Sequence, residues 1–280
     1  MGIRLSEAQQ ERAGPLKMVT GAWKHRQLLA LMVRREITGR YRGSVGGLAW
    51  SLLTPIMMLA VYTFVFSVIF NARWGAGEPE SRTGFAMLLF VGLFIHGFFS
   101  ECLMRAPGLI LANTNLVKKV VFPLEVLPLT VVGSALFNCG INALVLLLAM
   151  LVLSMPMPLT ILLFPLILLP LFLLTLGVTW FLAAVGVYLR DISQLTGMLS
   201  TLLLFLAPVF YPQSALPPRY QPWLNLNPLT FFIESSREVL LQGRIPSWQA
   251  WISATAICML IAWFGYWWFQ RSRRGFADVL

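Results

Sequence analysis

Residues 126–189 contain no aspartate, glutamate, lysine or arginine, and this uncharged stretch constrains the fold more than any other feature of the sequence. It is too long for one membrane helix, because about 20 residues cross the hydrocarbon layer at about 1.5 Å per residue. Pro156 and Pro158 divide it, since proline removes a backbone donor and fixes φ. The stretch therefore predicts two transmembrane helices, at about residues 128–153 and 159–189.

The composition of the whole chain agrees with a membrane protein. Of its 280 residues, 58% are hydrophobic and 11% are charged, whereas a soluble domain carries about a quarter charged residues. Disordered chains combine low hydrophobicity with many charges, which is the opposite pattern. The composition therefore excludes an ordinary water-soluble enzyme and a disordered chain.

Further apolar stretches are long enough to cross a membrane, at about residues 48–70, 83–104, 192–211 and 251–269. The sequence thus predicts an all-α polytopic protein with six transmembrane helices. Residues 213–246 are also rather apolar, but they contain Glu234, Arg237, Glu238 and several prolines. A charge at the centre of a lipid-facing span costs about 3 kcal/mol, so we predict re-entrant half-helices between spans five and six, packed against protein.

The distribution of lysine and arginine predicts the orientation. Most of the 21 Lys and Arg residues lie in residues 1–47, in the loop 105–125, at Arg190 and in the C-terminal tail. The positive-inside rule places these segments in the cytoplasm, with both termini. The net charge of +10 is then explained by the anionic lipids of the cytoplasmic leaflet, and no nucleic-acid partner is predicted.

No motif in the sequence predicts catalysis. It lacks a GxxxxGK[ST] phosphate loop, an HExxH zinc motif, a CxxC pair and a GxSxG elbow, so we predict no catalytic residue and no metal site. His96 is interpreted as a polar side chain satisfied by a neighbouring helix. Glu101 is interpreted as the partner of Arg105 one helical turn later; the functional alternative is a proton or ion relay.

Two segments outside the spans have the character of docking surfaces. Residues 23–40 form a helical pattern with one apolar face, which predicts an amphipathic interface helix lying on acyl chains. Its basic residues include Arg34, Arg35 and Arg40, and Arg42 follows two residues after it. The loop 106–128 is unusually apolar, with a short helix predicted at 115–122, and exposed apolar residues there suggest a protein partner.

Several motifs of the sequence occur together in one order. They are RREITGRYRGSVGGLAWSLLTPIMMLAVYTFVFSVIF at residues 34–70, NTNLVKKVVFPLEVLPL at 113–129, YLRD at 188–191, APVFYP at 207–212, LNPLTFFIESSREVLLQG at 226–243 and the terminal GFADVL. Together they resemble one family, the membrane subunits of ABC-2-type exporters of polysaccharides and polyol phosphates, and the O-antigen exporter permeases in particular. The resemblance covers nearly the whole chain, so residues 1–280 are expected to form a single ABC-2-type transmembrane domain.

The resemblance implies a homodimer of non-catalytic permease subunits with two cytoplasmic ATPase subunits. ATP and Mg would then be bound by the ATPase, and this chain would hold no cofactor itself. The residues that correspond to the coupling helix and the neighbouring loop are Asn115, Leu116, Val117, Lys118, Lys119, Val120, Phe122, Arg190 and Asp191. An O-antigen permease would move a lipid-linked polysaccharide across a bacterial inner membrane; teichoic acid and capsule exporters are the related alternatives.

Aromatic residues recur at helical spacing on the first two spans. They are Tyr62, Phe66 and Phe70 on the first span, and Phe90, Phe94 and Phe98 on the second. With Phe210, Tyr211 and Trp223 near the predicted outer mouth, they are hypothesised to line a glycan path, since aromatic rings can stack on the apolar faces of sugars. The alternative is that these residues only pack between helices or face lipid.

Two other classes of function remain as alternatives. A secondary transporter usually carries several intramembrane ionisable groups and a repeated half-structure. Only Glu101 and His96 qualify, and no repeat is apparent. A membrane enzyme acting on lipid-linked sugars requires clustered acidic or metal-binding residues, whereas the external acids Glu78, Glu80, Glu234 and Glu238 are scattered.

Overall fold

The computed structural model describes residues 15–69, 82–118, 122–224 and 226–280, and all regular structure within these ranges is helical. In chain order the α-helices are α1 (Pro15–Lys24), α2 (Arg26–Arg40), α3 (Ala49–Tyr62), α4 (Arg82–Arg105), α5 (Thr114–Val117), α6 (Val126–Val152), α7 (Phe164–Tyr188), α8 (Ile192–Phe205), α9 (Gln221–Leu224), α10 (Pro228–Arg237), α11 (Trp248–Ser272) and α12 (Phe276–Val279). Helix α3 continues as a π-helix over Thr63–Ile69, and α10 continues as a π-helix over Glu238–Gln242.

Five helical segments of the described residues are long and apolar enough to cross a membrane. They are Ala49–Phe66, Thr83–Arg105, Val126–Val152, Leu159–Tyr188 and Trp248–Val279. The all-helical membrane architecture is therefore confirmed, and the uncharged stretch divides as predicted. Helix α6 ends at Val152, Ser154 follows with φ +52°, and a 3-10 turn from Leu159 leads into α7.

Helix α8 differs from the predicted span 192–211. It has 14 residues, or about 21 Å at 1.5 Å per residue, against a hydrocarbon layer of about 30 Å. The chain leaves the helix after Phe205 because Pro208 lacks a backbone donor and disfavours helical geometry at the residue before it. A sixth span and re-entrant half-helices therefore remain predictions.

Helix α2 packs on the protein with the face that was predicted to lie on acyl chains. Leu29 and Met32 contact the hydrophobic core, and Val33 lies against Gly133 of α6, where a Cβ would come within 2.8 Å of the valine side chain. Arg34, Arg35 and Arg42 are exposed, as their polarity predicts. The basic face of α2 is therefore available to solvent or headgroups, while its apolar face is occupied by α6.

Helices α7 and α11 approach each other closely through two glycines. A Cβ on Gly177 would lie 2.6 Å from the Cα of Ala262, and one on Gly265 would overlap the carbonyl group of Gly177. Beside this contact the rings of Trp180 and Tyr266 pack edge to face at 5.1 Å. Small residues at the crossing allow this backbone approach, which is a common way to stabilise helix pairs in membranes.

Candidate functional site

A cavity of about 350 Å³ lies between α3, α4 and α6. Its lining combines aromatic, amide, hydroxyl and carboxylate side chains with small and apolar ones: Tyr41, Ser51, Thr54, Pro55, Met58, Tyr62, Phe90, Leu93, Phe94, Gly97, Phe98, Glu101, Ala135, Asn138, Cys139 and Asn142. The volume falls within the range of about 300–1,000 Å³ that is usual for ligand sites. The cavity is large enough for part of a polar ligand, in a chain that otherwise buries apolar surface.

The aromatic wall of this cavity includes much of the predicted glycan path. Tyr62 comes from α3, whereas Phe90, Phe94 and Phe98 come from successive turns of α4. The ring of Phe94 packs edge to face against Phe90 at 5.7 Å and against Phe164 at 6.1 Å. These ring contacts hold the wall in place, because edge-to-face aromatic pairs are each worth about 0.5–1.5 kcal/mol.

The other residues of the predicted path that the structure describes do not line this cavity. Phe66 lies in the π-helix after α3 with its ring 5.4 Å from that of Phe85, and Phe70 lies outside the described residues. Phe210 stacks on Phe205 at 5.7 Å, and the hydroxyl of Tyr211 donates to the Phe205 carbonyl at 2.9 Å. Trp223 is 68% exposed on α9. Their place on a transport path stays a prediction.

Glu101 lies at the end of the cavity next to α2 and is the centre of an ion-pair network. Its carboxylate accepts hydrogen bonds from Arg105 at 3.3 Å, from Asn138 Nδ2 at 3.1 Å and from Arg40. Arg105 also pairs with Glu36. The predicted pair of Glu101 with Arg105 is confirmed, and the contacts with α2 and α6 are new.

This network joins three elements that are distant in sequence. Glu36 and Arg40 come from α2, Glu101 and Arg105 from α4, and Asn138 from α6. The four charged groups balance in sign, and their side chains are about a quarter to a third exposed, so each pair contributes only about 0–1 kcal/mol. Arg40, one of the basic residues of the predicted interface helix, pairs with Glu101, and sequence spacing alone gives no sign of this contact.

The predicted coupling segment is described in part. The helical turn is α5, shorter than the predicted 115–122, and Lys119 and Val120 lie outside the described residues. Asn115 and Lys118 are exposed, while the side chains that pack against the hydrophobic core are Leu116, Val117 and Phe122. Arg190 and Asp191, between α7 and α8, are also exposed.

Arg237 has a structural role that the sequence did not reveal. Its side chain is 0% exposed and donates to the carbonyl oxygens of Leu88 (2.9 Å), Pro208 (2.5 Å) and Val209 (3.0 Å). It also donates to Glu234 at 2.9 Å. Only the spacing of Glu234, three residues earlier on the same helix, hinted at a partner. Arg237 therefore ties α10 to α4 and to the segment after α8.

His96 and two serines form a buried polar contact between α4 and α8. The Nε2 atom of His96 lies 3.0 Å from the carbonyl oxygen of Ser200, and the hydroxyl groups of Ser100 and Ser200 are 2.5 Å apart. The histidine is thus satisfied by a neighbouring helix, as interpreted from the sequence. These hydrogen bonds join α4 to α8.

A bundle of apolar helices around one partly polar cavity is typical of a membrane transport protein. The family described as ABC-2 type transporter matches residues 27–241, and the chain belongs to this family. The O-antigen export system permease protein RfbA of Myxococcus xanthus is 29% identical in an alignment 279 residues long. The alignment covers 95% of this chain and 100% of that protein.

Two further relatives each match about three quarters of this chain. An O-antigen export system permease protein RfbA of Klebsiella pneumoniae is 25% identical over 77% of this chain and 81% of its own length. The polysialic acid transport protein KpsM of Escherichia coli is 27% identical over 75% of this chain and 80% of its own length. The predicted resemblance to ABC-2 permeases of the O-antigen branch is confirmed.

Proposed function

We propose that this chain is the membrane subunit of an ATP-driven exporter that moves a lipid-linked polysaccharide across the bacterial inner membrane. O-antigen is the cargo that we propose first. The observation that carries the proposal is the similarity to the Myxococcus xanthus O-antigen permease over the full length of that protein. The subunit acts as a homodimer with two ATPase subunits, which bind ATP and Mg. A capsule polysaccharide or teichoic acid is the alternative cargo, and the similarity to the polysialic acid transport protein KpsM supports a polysaccharide.

In this proposal both termini lie in the cytoplasm, and α8 with the turn after it completes a sixth span. Helices α9 and α10 and the π-helix Glu238–Gln242 form the re-entrant region on the outer side. The buried contacts of Arg237 support this arrangement, because a charged half-helix is tolerated at membrane depth only when protein satisfies it. The exposed basic face of α2 lies against anionic headgroups.

The cargo path includes the cavity between α3, α4 and α6, and Gly97 allows a direct test. A Cβ at Gly97 meets nothing within 4 Å, although this glycine lines the cavity. Gly97→Leu therefore adds an apolar side chain to the cavity lining at a position where its Cβ displaces no neighbour. We expect it to reduce export by about tenfold, equivalent to about 1.4 kcal/mol on the transport barrier.

The measurement is surface polysaccharide per folded copy of the exporter, in cells that co-express its ATPase. Gly140→Leu is the matched control, because Gly140 lies on α6, also meets nothing within 4 Å and does not line the cavity. Export by Gly97→Leu equal to that of the control would remove this cavity from the path.

The ATPase binds the exposed surface formed by α5 and the loop between α7 and α8. Lys118 is exposed there, so Lys118→Glu reverses a contact charge without removing a core side chain. We expect tagged Lys118→Glu to recover less than half of the ATPase subunit that the unmodified chain recovers, and to lose ATP hydrolysis in the eluate. Arg219→Glu, an exposed reversal on the predicted outer side, is the control.

The same purification tests the class of protein. An ATPase subunit recovered in equal amounts with the unmodified chain supports the exporter. A pure chain without ATPase and without hydrolysis would instead favour a secondary carrier, and Glu101 would then be the first residue to replace.

A further inference from the structure

Besides its aromatic rings, the cavity has a polar wall of amide and hydroxyl side chains. Asn138 and Asn142 lie one turn apart on α6, and Ser51 and Thr54 lie on α3. Asn142 Nδ2 donates to the Asn138 main-chain carbonyl at 2.8 Å, and Asn138 Nδ2 donates to Glu101 at 3.1 Å.

The partners of the two asparagines fix the orientation of both amides. A main-chain carbonyl and a carboxylate are acceptors only, so the atoms facing them are the amide nitrogens. Among the described residues, neither Asn138 Oδ1 nor Asn142 Oδ1 accepts a hydrogen bond, and neither is a buried atom lacking a partner. Both oxygens are therefore free, solvent-accessible acceptors on residues that line the cavity, and a hydroxyl group can donate to them.

The charge of the lining adds a second constraint. Glu101 is the one ionised side chain among the described residues that line the cavity. The arginines beside it, Arg40 and Arg105, are paired with Glu101 and Glu36, and neither lines the cavity. A phosphate or carboxylate entering the cavity would lose water without gaining a cation, because both arginines are already paired.

We propose that this cavity is a subsite for uncharged, hydroxyl-rich sugar residues and that it discriminates against sugars carrying carboxylate or phosphate. The rings of Phe94 and Phe98 contact the apolar face of a sugar, while Asn138 Oδ1 and Asn142 Oδ1 accept its hydroxyl protons. A site built from such acceptors is selective, because a ligand that lacks the hydroxyls leaves polar groups unpaired. This inference rests on the proposed function and narrows its cargo to neutral glycans.

The test measures binding of two matched sugars to the full-length chain with its ATPase in lipid nanodiscs. The probes are galactotriose, which is neutral, and trigalacturonate, which has a similar size and carries three carboxylates. We expect galactotriose to bind at least about tenfold more tightly, because the carboxylates of trigalacturonate would lose water without gaining a cation. Gly97→Leu should abolish this binding, and Gly140→Leu should preserve it.

Two variants of one side chain test the chemistry of the polar wall. Asn142→Leu removes an acceptor and should weaken galactotriose binding by about fivefold to tenfold. Asn142→Lys adds a cation to the cavity and should shift the preference toward trigalacturonate by about tenfold or more. Size-exclusion chromatography checks that both variants are folded. The comparison of the two sugars on the unmodified chain tests the proposal even if neither variant folds.

The outcomes separate this inference from the proposed function. Equal binding of the two sugars, tighter binding of trigalacturonate, or binding of neither would overturn the neutral-sugar subsite. Export and ATPase recovery would be unaffected by such results, so the exporter would stand with a different selectivity. Loss of the ATPase partner and of export would instead overturn the proposed function.

Discussion

Arg237→Met is expected to destabilise the folded protein by about 3–5 kcal/mol, because it removes a fully buried guanidinium group that satisfies three main-chain carbonyls and pairs with the partly exposed Glu234. The substitution leaves the carboxylate of Glu234 without its cation and deprives the carbonyl oxygens of Leu88, Pro208 and Val209 of a donor. An unsatisfied buried polar group costs about 1–3 kcal/mol. The expected result is a much lower yield of folded protein and a lower unfolding temperature in detergent.

The measurement is the midpoint of thermal unfolding, followed by tryptophan fluorescence and by size-exclusion chromatography. Arg237→Lys is the first comparison. It keeps the charge but loses the planar set of donors that reaches several carbonyls at once, so it should lie between the unmodified chain and Arg237→Met. The double variant Glu234→Gln with Arg237→Met should cost less than the sum of the single changes, because it removes the orphaned carboxylate. An unfolding midpoint for Arg237→Met within the error of the unmodified value would contradict this role.

For Arg237, the sequence predicts the kind of environment but not the groups that bind the side chain. The charge within an apolar segment indicated a structure packed against protein, because lipid tolerates no unpaired charge there. The partners are main-chain carbonyls of Leu88, Pro208 and Val209, which every residue type possesses, so no residue pattern identifies them. The sequence also gives no sign that position 92 requires glycine. In the structure a Cβ at Gly92 would lie 2.8 Å from the Arg237 Nη2 atom.

The cavity shows a similar division. The aromatic stripe of α4 was predictable, since Phe90, Phe94 and Phe98 follow helical spacing and must share a face. The polar wall was not predictable, because Asn138 and Asn142 lie in the middle of an apolar stretch and only the packing of α6 brings them to the same cavity. The local part of the ion-pair network was likewise predictable from i, i+4 spacing, whereas the contacts of Glu36 and Arg40 depend on how α2 docks.

Gly265→Val is expected to separate α7 from α11 and to destabilise the protein by about 3 kcal/mol, near the upper end of the usual cost of overpacking. The reason is that a Cβ at Gly265 would overlap the main-chain carbonyl of Gly177, and backbone atoms cannot rotate away as a flexible side chain can. Gly140→Val is the matched control. It introduces the same side chain into another long apolar helix at a position where a Cβ meets nothing within 4 Å.

The displacement should also reach the end of α11 that follows Gly265. Arg273, just beyond α11, donates to Glu125 at 2.9 Å, and Glu125 ends the loop that carries α5. The Phe276 ring packs against Phe269 at 5.7 Å and against Tyr188 at 6.1 Å, so the C-terminal segment moves with α11. We therefore expect the Gly265→Val protein that folds to show reduced ATP hydrolysis per bound ATPase, whereas Gly140→Val keeps the unmodified rate. Equal unfolding midpoints for the two valine variants would mean that α7 and α11 can separate at little cost, and that their close approach does not hold the loop in position.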